Sequence, residues 1–176
     1  QQFSDCISAC REGLAEASTT CPAKLRLLLT LQLGDVLRVS GAALSEALDA
    51  FTDAQQQAAA GGPVMFCYEL RARLGAARCL KAQGKQLEAA EQLKGLLELA
   101  SSSSSPSDAF IQAVCIEAEV ELARLAMGEE DFERARTLLE SARKRLNAAT
   151  ATTTTTTGVV SAASSRERDE QNDEED

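Results

Sequence analysis

The chain has 176 residues and a formal net charge of −9, with 44% hydrophobic residues but only 3% aromatics and no Trp. A core so poor in aromatics has to be built from Ala and Leu in close-packed helices, which argues against a β-sandwich or barrel. An acidic chain without a basic cluster also makes a poor direct nucleic-acid binder, because neutralising phosphates supplies most of that affinity.

From Phe3 to Ala17 the apolar residues Phe3, Ile7, Cys10 and Leu14 recur at helical spacing, predicting one helix with a narrow apolar stripe. Pro22 breaks the chain and suits the start of the next helix. Long helices and short polar breaks then alternate, with pairs expected at about 23–39 with 43–59, 65–83 with 86–100, and 108–127 with 131–149. The breaks are Ser40-Gly41, Gly61-Gly62-Pro63, Gly84-Lys85, the Ser101–Ser105 run ending in Pro106, and Gly128-Glu129-Glu130. Each glycine permits the left-handed backbone that ends a helix. Ser107 or Asp108 is the expected cap of the helix that follows the serine run.

From Thr150 the chain passes through Thr152–Thr157 and small residues into an acidic terminus, with too little apolar surface to offset the entropy of ordering. The expected organisation is therefore a helical domain at 1–149, with a loop insertion at about 101–107, and a disordered acidic tail at 150–176. The chain starts with Gln rather than Met, as a piece of a longer protein would. No signal peptide or apolar run of spanning length is evident, so no membrane association is expected.

The six cysteines (Cys6, Cys10, Cys21, Cys67, Cys79, Cys115) form no C-x-x-C, and His is absent. That pattern predicts reduced, mostly core thiols in an intracellular, reducing compartment, and no metal site. General acid-base or nucleophilic catalysis has no His to rest on, and no glycine-rich phosphate loop occurs. Glu88, Glu91, Glu98, Glu129, Glu133 and Glu140 fall on positions that read as solvated helix faces. No catalytic residue, cofactor or enzymatic activity is expected.

Three of the helices share an internal spacing. Ala47…Phe51…Ala54, Ala89…Leu93…Leu96 and Ala135…Leu139…Ala142 each place a large apolar residue four after a small one and a small or apolar one three further on. Helices approach closely only where a side chain is small, and the spacing resembles the second helix of tetratricopeptide repeats. The triplets recur at 42 and 46 residues, longer than the usual ~34, so the resemblance implies degenerate, elongated repeats. The family register places Ala77 and Ala123 at the close contact of the first helix, with Leu33-Gly34 filling that role one residue early in the first pair. The expected fold is all-α, a right-handed α-solenoid of antiparallel helix pairs with about seven helices; a generic helical bundle is the alternative.

In tetratricopeptide folds one face of each first helix lines a concave groove. That geometry selects Asp35 and Arg38, then Arg71, Leu74, Arg78 and Lys81, then Glu117, Val120 and Arg124, while the acidic excess falls on the second helices. The resemblance thus implies a protein partner bound through an extended acidic or phosphorylated segment, with Arg38, Arg71, Leu74, Arg78, Lys81 and Arg124 as contact residues. The alternative is that these are solubilising arginines whose stems cover apolar surface.

The segment Leu31-Gln32-Leu33-Gly34-Asp35-Val36-Leu37, followed by Ser45-Glu46 and Gln55-Gln56-Gln57, resembles the tetratricopeptide subunit of the cohesin loader, as do the closely spaced Cys6 and Cys10 upstream. This resemblance, over about 3–145, implies a nuclear scaffold that wraps a segment of a larger loader subunit and acts in sister chromatid cohesion. Pro22-Ala23-Lys24-Leu25-Arg26-Leu27 and Glu69-Leu70-Arg71-Ala72-Arg73-Leu74 look like segments of proteasome-lid or signalosome subunits. A peptide-binding co-chaperone module is a third expectation.

Overall fold

In the computed structural model the described residues are 2–20, 22–41, 43–102 and 108–169, with side chains described for 2–17, 22–41, 43–102 and 108–150. Among them all regular structure is helical and no strand forms. Seven helices run in order: α1 (Gln2–Thr20), α2 (Ala23–Ser40), α3 (Leu44–Ala60), α4 (Phe66–Ala82), α5 (Gln86–Ser101), α6 (Ala109–Gly128) and α7 (Phe132–Asp169), with a short 3-10 turn at Pro63–Met65 before α4.

The helix ends follow from local chemistry. Pro22 stands just before α2, where its missing N–H costs nothing, and the Asp108 side chain accepts from the Phe110 N–H at 2.8 Å to cap α6. Asp131 does the same for α7, accepting from the Arg134 N–H at 3.1 Å. After α4, Lys85 N–H reaches the Leu80 carbonyl and Gly84 N–H the Lys81 carbonyl, the paired bonds of a Schellman turn, with Gly84 at φ 79°.

The turn after α6 repeats these bonds 46 residues later: Asp131 N–H to the Ala126 carbonyl and Glu130 N–H to the Met127 carbonyl. Here the left-handed position falls on Glu130, at φ 61°, and Gly128 stays inside α6. Of the two glycines after α3, Gly61 is right-handed and Gly62 carries the positive φ. The geometry of the turn, set by the carbonyls it must satisfy, overrides residue preference at Glu130.

Each helix packs against its neighbours in sequence, and α2 also meets α4, as α4 meets α6. Two principal core clusters result, and α4 belongs to both. Ala72, Ala76 and Cys79 of α4 join Leu27, Leu31, Leu37, Ala47, Phe51 and Ala54, whereas Leu70, Leu74, Ala77 and Leu80 join Leu93, Leu96, Ala118 and Leu122. Ala77 and Ala123, the expected close-contact positions, are both buried. Gly34 faces the Phe51 ring, where a Cβ would stand 3.0 Å from two ring carbons.

Glu88, Glu91, Glu98, Glu129, Glu133 and Glu140 are all exposed. Among the cysteines, Cys10, Cys79 and Cys115 are buried, Cys67 is half-buried and Cys6 is exposed; Cys21 lies outside the described residues. The helix of α7 continues past the boundary expected at 150, to Asp169, while the side chains from 151 and residues 170–176 lie outside those described. Most of the serine-run loop, at 103–107, likewise lies outside them. No described helix is long and apolar enough to cross a membrane.

Candidate partner-binding groove

Because α4 lies between α2 and α6, side chains two helical turns apart on its open face reach both neighbours. On one side Arg71 contacts Asp35 of α2 at 2.9 Å, and Arg38 stands 3.7 Å from the same carboxylate. On the other, Arg78 donates to Glu117 of α6 at 2.8 Å and lies 3.4 Å from Glu121, one turn further along. Lys81 is also ion-paired to Glu121, and Arg124 reaches it at 3.0 Å.

Glu121 is the centre of this network and is 5% exposed. Burial alone would raise its carboxyl pKa, but the hydrogen bond and charge of Lys81, with Arg78 and Arg124, hold it below the usual carboxylate range. A buried carboxylate meeting three cations ties α4 to α6.

Between the two sets of ion pairs lies a cleft of about 300 Å³. Asp35, Arg71, Arg78 and Glu117 supply its charged lining, buried Leu74 and Val114 its apolar base, and Phe110, 41% exposed, an open aromatic side. An apolar floor between charged walls can hold an extended chain that presents one apolar side chain and flanking polar groups.

The residues expected to contact a partner are therefore brought onto one face in two groups. Arg71, Leu74 and Arg78 line the cleft. Arg38, Lys81 and Arg124 lie outside its lining and act on Asp35 and Glu121. The face is mixed: its five cations are set against Asp35 and Glu117, which the groove register also selected, and against Glu121, with a residual charge of +2. Phe110, Val114 and Glu121 were not singled out in the sequence, yet they continue the helical stripe through Glu117 in both directions. Following that stripe to its ends would have found them.

No protein-family model matches the chain, and no curated protein matches it.

Proposed function

We propose that this chain is a tetratricopeptide-like scaffold, a right-handed solenoid of helix pairs whose first helices α2, α4 and α6 bind an extended segment of a larger protein. The observation that carries it is the cleft across α4, with buried Leu74 and Val114 beneath Arg71, Arg78 and the exposed Phe110. Support for a solenoid comes from the contact order, in which the first helices of successive pairs meet, α2 with α4 and α4 with α6. The residual positive charge of the face selects a segment carrying carboxylates or phosphates around an apolar anchor. No catalytic role is assigned to any residue.

The assembly we propose is the cohesin-loading complex, with a role on chromatin in the nucleus. It rests on the resemblance of Leu31–Leu37 and the surrounding helices to that loader's tetratricopeptide subunit.

The test is partner capture from nuclear and cytosolic extracts with the full chain and with Arg71→Gln/Phe110→Ser. Neutral substitutions are needed because charge reversal at Arg71 or Arg78 would set a carboxylate against Asp35, Glu117 or Glu121. Recovery of a large loader subunit with cohesin, released by the variant, supports both the groove and the assembly. Recovery of lid or signalosome subunits replaces the assembly. A variant that keeps every partner of the parent chain removes the groove from the account.

A further inference from the structure

Besides its five paired cations, the groove face carries a further one. Lys24 stands about three helical turns before Asp35 on the same side of α2, and its ammonium lies 5.9 Å from the centre of the Tyr68 ring on α4. Lys24 is exposed and Tyr68 half-buried. Tyr68 in turn stands one turn before Arg71, whose side chain is 42% exposed and lines the cleft. Lys24, Tyr68 and Arg71 thus lead from the α2 edge of the face into the cleft. They differ from the other cations in what they leave uncommitted. Arg38, Arg78, Lys81 and Arg124 are each set against Asp35, Glu117 or Glu121, so an anion arriving there competes with a carboxylate already in place. Lys24 makes no ion pair among the described residues, and the Tyr68 hydroxyl makes no hydrogen bond among them. The ring holds the ammonium without offering an oxygen to any of its N–H donors. Arg71 bonds Asp35 through one nitrogen only, and Asp35 shares its charge between Arg71 and Arg38.

We infer that Lys24, Tyr68 and Arg71 form a subsite for a phosphate monoester carried by the partner's segment. A phosphate brings three acceptor oxygens and close to two negative charges, which an ammonium, a hydroxyl and a guanidinium drawn from two helices can meet together. A carboxylate, with two oxygens and one charge, leaves part of that donor set unused. From Tyr68 to Leu74 helix α4 rises about 9 Å, the span of about three residues of extended chain. The phosphorylated residue therefore stands about three positions from the apolar side chain that enters the cleft over Leu74 and Val114. The subsite rests on the groove reading, which supplies that apolar anchor.

Tyr68 is the chain's one tyrosine and Trp is absent, so tyrosine emission reports this corner alone. The probes are short acetylated peptides without aromatics that carry phosphoserine three residues before or three residues after a leucine, with glutamate and unmodified serine in its place as controls. Each is titrated into the full chain, Lys24→Gln, Lys24→Arg and Phe110→Ser. The expected result is a saturable change in Tyr68 emission with the phosphopeptide in one of its two orders, weakened about fivefold or more by Lys24→Gln and retained by Lys24→Arg. The glutamate peptide is expected to bind about fivefold or more weakly than the phosphopeptide, and the circular dichroism of the variants to match that of the parent. Equal binding of the phosphoserine and glutamate peptides, indifference to Lys24→Gln, or no saturable change in either order overturns the inference. Binding that requires Lys24 and ignores Phe110→Ser keeps the phosphate subsite and fails the groove. Partner capture that Arg71→Gln/Phe110→Ser releases, but that withstands both Lys24→Gln and phosphatase treatment of the extract, keeps the groove and overturns the subsite.

Discussion

The ring of Phe51 fills the space that a side chain at Gly75 would need: a Cβ on Gly75 would stand 2.6 Å from Cδ1 of that ring. Two helices of successive pairs thus meet at their closest point through one large residue and one absent side chain. Gly75→Ala is expected to destabilise by about 1–2 kcal/mol although Ala is the better helix former, because overpacking of roughly 1–3 kcal/mol outweighs a propensity gain of about 1. Adding Phe51→Leu to Gly75→Ala should recover part of that loss. Urea unfolding of the two single variants and the double variant reads the coupling directly; strictly additive effects would place the ring elsewhere.

Glu130 adopts φ 61°, the backbone that Gly84 supplies in the matching turn. Left-handed backbone costs an ordinary L-residue roughly 1 kcal/mol, so Glu130→Gly is expected to stabilise by about that amount and to raise the melting temperature by about 2–4 °C. Gly84→Ala, at φ 79°, is expected to move it the other way. Thermal unfolding of the pair checks both signs.

Acid sensitivity should centre on Glu121. Its carboxyl is held below the usual range in the folded chain, so its contribution is complete above the ordinary value of 4.5 and is lost as pH falls through the lower folded value. Glu121→Gln is therefore expected to lose stability at pH 7 and to show a flatter stability profile below about pH 5. Unfolding measured from pH 7 down to pH 2 separates this from a variant that is less stable by the same amount at every pH.

The thiols give the opposite limb. Burial pushes Cys79 up from 9.0 to about 11, with Arg38 pulling it down and Asp35 raising it. A folded value raised above the unfolded one means stability is lost as pH rises from 9.0 toward 11, and Cys79→Ala should flatten that decline. At pH 8 a thiol reagent is expected to modify exposed Cys6 quickly and buried Cys79 and Cys115 only as fast as the helices open. Equal rates at all of these would contradict the packing.

Much of this arrangement was legible in the sequence because it is local. Pro22, Gly41, Gly84 and Asp108 mark helix ends by chemistry that acts within one turn, and the ends of α2 to α6 fall within a residue or two of those expected. The three small-large-small spacings located Ala47, Phe51 and Ala54 in the core for the same reason. What distant neighbours decide was not legible. The pairing of Lys81 with Glu121 joins residues 40 apart, so the groove register reached Asp35 and Glu117 but not Glu121, nor which cation each carboxylate meets. Likewise Leu139 shares the pattern of Phe51 and Leu93, and its exposure depends on whether a further helix covers it. Glu130 carries no signal of its left-handed backbone, which is imposed by the turn it closes.

The central claim is that the face of α2, α4 and α6 holds an extended segment of a partner, and site-specific photo-crosslinking in a cell extract tests it most directly. A photoreactive residue at Phe110, on the open side of the cleft, is compared with one at Glu91, exposed on α5. The account predicts that Phe110 cross-links one protein through a single contiguous acidic or phosphorylated segment, mapped by mass spectrometry, while Glu91 does not. Cross-links of equal yield from both positions, or none from Phe110 while the chain still captures its partner, would contradict it.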